Sequence, residues 1–193
     1  MITHIQGKLV QKNPTDVVID CNGVGYLLNI SLHTYSQIPE QENIKLYTHL
    51  QVREDSHTLF GFSSLAEREI FRLLISVSGI GASTARTMLS ALTPKQVREG
   101  IAAENVGLIQ SIKGIGLKTA QRTIIELKDK ILKVYDIDEV SVSQNNTAKD
   151  EALSALEVLG FNKKQAERAI DKFMASQPKA NVETVIKEAL KSL

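Results

Sequence analysis

Apolar positions change period twice along this chain of 193 residues. From Met1 to Phe62 they alternate with polar ones in short, β-branched runs: Ile2 to Val10, Asp16 to Asp20, Gly25 to Ile30, Ile44 to Val52 and Thr58 to Phe62. Asn22-Gly23 stands between the second and third runs as a hairpin signal, and spacing of about ten residues predicts a small closed barrel of about five or six strands. From Ser63 the period becomes helical. Ser64 and Glu67 are set as a capping box before Ile70, Leu73, Leu74 and Val77, and Thr93-Pro94-Lys95-Gln96 repeats that start signal with Pro at the first helical position. Residues 136–147 are acidic and rich in Ser, Gln and Asn, which predicts a flexible linker, because too little apolar surface is available to offset chain entropy. Beyond it, the helical period returns around Ala152, Leu153, Leu156 and Leu159, then Ala166, Ile170 and Phe173, then Val182, Val185, Ile186, Ala189 and Leu190, with Gly160-Phe161-Asn162 as a break. Three short amphipathic helices are expected, with Leu156, Leu159, Phe161, Ile170, Phe173, Ile186 and Leu190 as their core. Forty-six residues (148–193) form a marginal fold, suited to a module that works docked on something else.

Within the central helical segment one phrase occurs twice. Val77-Ser78-Gly79-Ile80-Gly81-Ala82-Ser83-Thr84-Ala85 is followed 35 residues later by Ile112-Lys113-Gly114-Ile115-Gly116-Leu117-Lys118-Thr119-Ala120. Each copy lies between apolar helical runs, so each reads as helix, tight Gly-Ile-Gly turn, helix. This is the form of a helix-hairpin-helix, a device for gripping nucleic-acid backbone. Its glycines are expected to supply positive-φ turn geometry and to remove Cβ atoms that would hold a phosphate away. The following helix opens with unpaired N–H groups at the positive end of its dipole. A single Gly turn between helices would mean little, but two copies of Gly-Ile-Gly-x-x-Thr-Ala are hard to obtain by accident. A small barrel beside such hairpins is most often an OB-fold. Ile80 and Ile115 are expected to plug the helix pair rather than touch DNA.

Composition adds boundaries. At 42% hydrophobic and 23% charged, the chain has the balance of a soluble globular protein, and no apolar run is long enough for a membrane span. The amino terminus carries no secretion signal, so a cytoplasmic protein is expected. The single Cys21 excludes an intrachain disulfide, and it has no partners at zinc-ligand spacing. A net charge of +1 argues against nucleic acid only until it is divided: −2 over residues 1–62, +5 over 63–135, −3 over 136–147 and +1 over 148–193. Positive charge collects where the hairpins are, the segment in which counterion release would favour a polyanion most. There is no phosphate-binding Gly-x-x-x-x-Gly-Lys-Ser/Thr element, so any ATP chemistry belongs to a partner. No cofactor or metal is expected for this chain itself.

The order of these parts, together with Val52-Arg53-Glu54-Asp55-Ser56-His57-Thr58-Leu59-Phe60-Gly61-Phe62 and Lys118-Thr119-Ala120-Gln121-Arg122, resembles the RuvA family of Holliday-junction-binding proteins over essentially the whole chain. The resemblance implies a multidomain α+β chain. An N-terminal OB-fold β-barrel would occupy residues 1–62 and an all-α tandem helix-hairpin-helix domain 63–135, followed by the linker 136–147 and a UBA-like three-helix module at 148–193. It implies a homotetramer, singly or as two tetramers, that holds a four-way DNA junction open and square. It further implies recruitment of the hexameric ATPase RuvB, which uses ATP and Mg, by the C-terminal module, with the RuvC resolvase in the same complex.

On that pattern Glu54 and Asp55 form an acidic pin at the junction centre. Carboxylates there would repel phosphates and spread the exchanging strands. From the two residues alone a solvated loop pair is the alternative, and a metal-binding nuclease pair lacks a third carboxylate at convincing spacing. The DNA-binding residues expected are Gly79, Gly81, Ser83, Thr84 and Arg86 in the first hairpin and Gly114, Gly116, Lys118, Thr119 and Arg122 in the second. Many family members carry a lysine where this chain has Ser83, so the first hairpin is expected to rely on hydroxyl and backbone donors. Two other classes stay open: a base-excision glycosylase, which would need a catalytic Asp after its hairpin that this chain does not offer, and a pure interaction scaffold.

Overall fold

The computed structural model describes residues 1–40, 42–134, 148–177 and 180–193; the expected linker at 136–147 lies outside the described residues. The chain forms two compact units, Met1–Asp138 and Glu139–Leu193.

In the first unit, β1 (His4–Lys12), β2 (Asp16–Cys21), β3 (Val24–Ile30), β4 (Asn43–Val52) and β5 (His57–Phe62) close into a barrel in the order β1-β2-β3-β5-β4. All pairs are antiparallel except β3 with β5, and a short helix α1 (Leu32–Gln37) lies between β3 and β4 in sequence, which is the OB arrangement. Strand alternation puts Val17, Ile19, Leu28, Ile30, Ile44 and Leu46 inside, all buried, while Asp16, Val18 and Asp20 face the other way. The predicted Asn-Gly turn takes φ of 55° at Asn22 and 91° at Gly23, the twist that suits a tight hairpin. At Gly7 a Cβ would fall 2.1 Å from the Asp20 carbonyl oxygen, so the close crossing of β1 and β2 admits no side chain.

Five helices follow: α2 (Leu65–Ser76), α3 (Ala82–Ala91), α4 (Pro94–Ala102), α5 (Val106–Gln110) and α6 (Leu117–Ile131), the last running into a 3-10 turn at Leu132–Val134. Their core is built from Phe71, Leu74, Met88, Leu89, Ile101, Ile109 and Leu127, each fully buried, and each contributes about 1.5–3 kcal/mol. Phe60 and Phe62 at the end of β5 belong to the same core, with ring centroids 5.0 and 4.9 Å from that of Phe71. The change of period at Ser63 is therefore a change of secondary structure and not a break in packing.

A buried carboxylate adds polar ties between barrel and helices. Ser64 does cap α2, its Oγ accepting from the Glu67 N–H at 3.1 Å, but the Glu67 side chain does not return to close the box. It is fully buried and accepts from Ser31 Oγ at 2.5 Å, Thr34 Oγ1 at 2.6 Å, and both the N–H and Oγ of Ser63 at 3.2 and 3.1 Å. Four donors are what a buried carboxylate with no cation needs. Thr93 and Gln96, by contrast, make both arms of their box.

The second unit consists of α7 (Ala148–Val158), α8 (Lys163–Met174) and α9 (Val182–Ser192), around buried Ala152, Leu156, Ala166, Ala169, Ile170, Val185 and Ala189, with Phe161, Phe173 and Ile186 packed against them. Two expected core residues are corrected: Leu159 is 60% and Leu190 39% exposed. Leu159 caps a helix that ends in a Schellman turn, with Gly160 at φ 94° and the Phe161 N–H bonded to the Leu156 carbonyl. That turn folds Phe161 back onto the core in the place Leu159 would have taken. Leu190 directly follows buried Ala189, about 100° further round α9.

Candidate nucleic-acid interface

Both repeated phrases fold as tight turns between helices, with the same local bonds. The Ile80 N–H donates to the Val77 carbonyl and the Ile115 N–H to the Ile112 carbonyl, each at 3.0 Å. Gly79 and Gly114 take φ of 97° and 93°, where any other residue would be strained. Ile80 and Ile115 are buried. The second glycine of each turn corrects the expectation of positive φ: Gly81 and Gly116 sit at φ −87° and −84°, extended backbone open to any residue. A Cβ at either would meet nothing within 4 Å. Neither strain nor crowding inside the chain calls for glycine there, and the bare backbone leaves both helix starts accessible from outside the chain.

The same two residues are the N-caps of α3 and α6, and neither helix start has a side-chain cap. At every other described N-cap, a side chain supplies it: Ser31, Ser64, Thr93, Asn105, Asn162 and Asn181. Unsatisfied N–H groups and the positive ends of two helix dipoles are thus presented at the two exposed turns. The turns also face each other's helices. A Cβ on Gly79 would lie 3.5 Å from the Thr119 side chain, and one on Gly114 would lie 3.9 Å from that of Thr84, a reciprocal contact that makes the pair one unit with near two-fold symmetry.

Charge does not follow that symmetry. Lys113, Lys118 and Arg122 are exposed around the second turn, and Arg122 Nη1 reaches across to the Ser78 carbonyl of the first at 3.3 Å. Around the first turn the donors are Ser83 and Thr84. Arg86, one turn along α3, is docked on the barrel, its Nη1 donating to Asn29 Oδ1 at 2.8 Å and the Thr15 carbonyl at 3.3 Å. Glu54 and Asp55 are exposed at the tip of the β4–β5 hairpin, closed by the Arg53 N–H to Ser56 carbonyl bond at 2.8 Å. Among the described residues no cluster of three or more His, Cys, Asp or Glu is placed to hold a metal, and no helix is long and apolar enough to cross a membrane.

His49 sits half-buried against Phe71, ring centroids 5.5 Å apart, with no hydrogen-bond partner for Nδ1 among the described residues. Burial, and then the charges of Arg72 and Arg68, hold its pKa below the ordinary value of 6.5, against the opposing pull of Glu69. The Asn29, Thr15 and Glu67 contacts are not legible in the sequence, since each joins residues far apart in it.

Comparison with known proteins covers the chain in three parts. The model of the RuvA N-terminal domain matches residues 1–61, that of the SAM-like helix-hairpin-helix tandem matches 71–129, and that of the RuvA C-terminal domain matches 147–193. The Holliday junction branch migration complex subunit RuvA of Flavobacterium psychrophilum is 66% identical over 193 residues, covering all of both chains. The proteins of the same name from Christiangramia forsetii and Bacteroides thetaiotaomicron are 63% and 46% identical, again over the full length of each chain.

Proposed function

Because the chain belongs to the RuvA family, we propose that it is the DNA-binding, non-catalytic subunit of a branch migration complex, which grips four-way junctions through its paired hairpins. The observation that carries this is the pair of uncapped helix starts behind Gly81 and Gly116, where bare backbone N–H groups meet open space. N–H groups and hydroxyls recognise phosphate and not base identity, so binding follows the shape of the junction. Gly79, Gly81, Ser83 and Thr84 grip one stretch of backbone, and Gly114, Gly116, Lys118, Thr119 and Arg122 the other. Four copies around a square junction would place four acidic tips at its centre, where Glu54 and Asp55 repel phosphates and guide separated strands. The C-terminal module recruits the hexameric RuvB motor, which supplies the ATP and Mg chemistry, and RuvC joins for resolution. The work is cytoplasmic and serves recombination and DNA repair, including the SOS response.

Gel shifts with a four-way junction, a linear duplex and a single strand, coupled to light scattering, test this. A tetramer on the junction, indifferent to its sequence, is expected. Neutralising the tip by Glu54→Gln with Asp55→Asn should keep or tighten binding while relaxing the preference for junctions over duplex. Loss of all DNA binding in the folded double variant would refute the repulsive role.

A further inference from the structure

Between the acidic-tip hairpin and the first helix-hairpin-helix lies a cleft of about 210 Å3. Its polar walls are Asn29 of β3, Gln51, Arg53 and Thr58 of the β4–β5 hairpin, and Ser83 and Arg86 of α3. None is a carboxylate, and the donors converge from the barrel and from α3, which share one core through residues such as Phe60 and Ala82. Arg86 is already fixed along one edge, both of its hydrogen bonds to the barrel leaving from Nη1. That leaves the N–H groups on Nε and Nη2 without an acceptor among the described residues. The guanidinium of Arg53 and the hydroxyl of Ser83 likewise have no partner there. The acid that senses Arg86, Asp16, does not line the cleft, and its carboxylate is held by Asn13 Nδ2 at 2.9 Å and Thr15 Oγ1 at 2.8 Å.

We propose that this cleft seats one phosphodiester of the DNA strand that passes from the first hairpin to the acidic tip. The assignment rests on the junction-binding function above. Two guanidinium groups match the tetrahedral oxygens of a phosphate, and docking Arg86 beforehand removes much of the entropy cost of closing on it. The seat also accounts for the charge asymmetry between the hairpins. The cation that the start of α3 lacks, where Ser83 stands, is supplied one turn later by Arg86 and across the cleft by Arg53. Inorganic phosphate offers the same oxygens, but the cleft opens beside the uncapped start of α3 on one side and the acidic tip on the other. Those are surfaces a strand must cross.

The test uses the full-length protein and four-way junctions carrying a neutral methylphosphonate at one linkage at a time near the crossover. Wild-type protein should lose about fivefold in affinity at one linkage, the equivalent of ~1 kcal/mol. Arg53→Gln and Arg86→Gln should each weaken the unmodified junction by a similar factor, flatten its salt dependence, and show no further loss at that linkage. Arg53 is exposed, so its variant stays informative if Arg86→Gln loosens the fold, and Arg86→Lys should restore part of the loss. Independent losses at every linkage would overturn the seat, as would competition by free phosphate with no coupling at any linkage. Absence of junction preference in the wild-type protein would instead remove the underlying function.

Discussion

The first and second hairpins share one backbone and differ in nearly everything that side chains add. Both turn on a glycine at positive φ, bury an isoleucine, and open a helix from an uncapped glycine in extended conformation. Around the second stand exposed Lys113, Lys118 and Arg122, the last also reaching the Ser78 carbonyl of the first turn; on the first turn's own helix stand Ser83 and Thr84, with Arg86 bonded to the barrel. On the proposed function, the common part positions N–H groups against a phosphate. The variable part sets how much counterion release accompanies it. If both turns grip phosphate as proposed, shape recognition is duplicated, whereas positive charge is concentrated around one copy and, for the other, comes from Arg86 of α3 and Arg53 of the barrel.

The most damaging changes should treat the copies alike. Gly81→Asp or Gly116→Asp provides a side-chain cap, which is worth a few tenths of a kcal/mol over glycine and should leave thermal stability equal or slightly higher. The same carboxylate occupies the place of a phosphate, and like-charge juxtaposition costs several kcal/mol. Junction affinity should therefore fall by at least about a hundredfold for either variant, measured by gel shift beside calorimetry. A variant that gains stability and still binds would show that its helix start does not face DNA.

Charge substitutions should separate the copies. Lys118→Ala is expected to cost on the order of 1 kcal/mol per subunit contact and to flatten the salt dependence. Ser83→Ala should change the slope little, and Ser83→Lys should steepen it, bringing the first hairpin toward the second. Titration of affinity against salt distinguishes these outcomes, and equal slopes for Lys118→Ala and wild type would end the asymmetry.

The smallest effect concerns the support of the first hairpin alone. His49 packs on Phe71 of α2, the helix leading into that turn, and its pKa is depressed by burial and by Arg72 and Arg68. The unfolded chain then binds the proton more readily, so stability is complete above the ordinary histidine pKa and declines as pH falls below about 6.5. His49→Gln should remove that part of the acid-side slope in thermal melts, leaving the rest of the profile unchanged.

Much of this organisation is legible in the chain itself because it is local. Alternation of period two at Asp16 to Asp20, the Asn22-Gly23 turn, the Thr93 capping box and the repeated Gly-Ile-Gly phrase each involve residues a few positions apart, and local sterics and hydrogen bonding settle their geometry. The six residues of α1 are too few to display a helical period in the sequence. Only the folded chain decided where the long-range partners lie. Glu67, marked as half of a local box, instead meets Ser31 and Thr34; Arg86 is held by Asn29 and Thr15; Leu159 gives way to Phe161. Such pairings leave no periodic trace in sequence, because they depend on which surfaces the closed barrel and the packed helices bring within hydrogen-bonding reach.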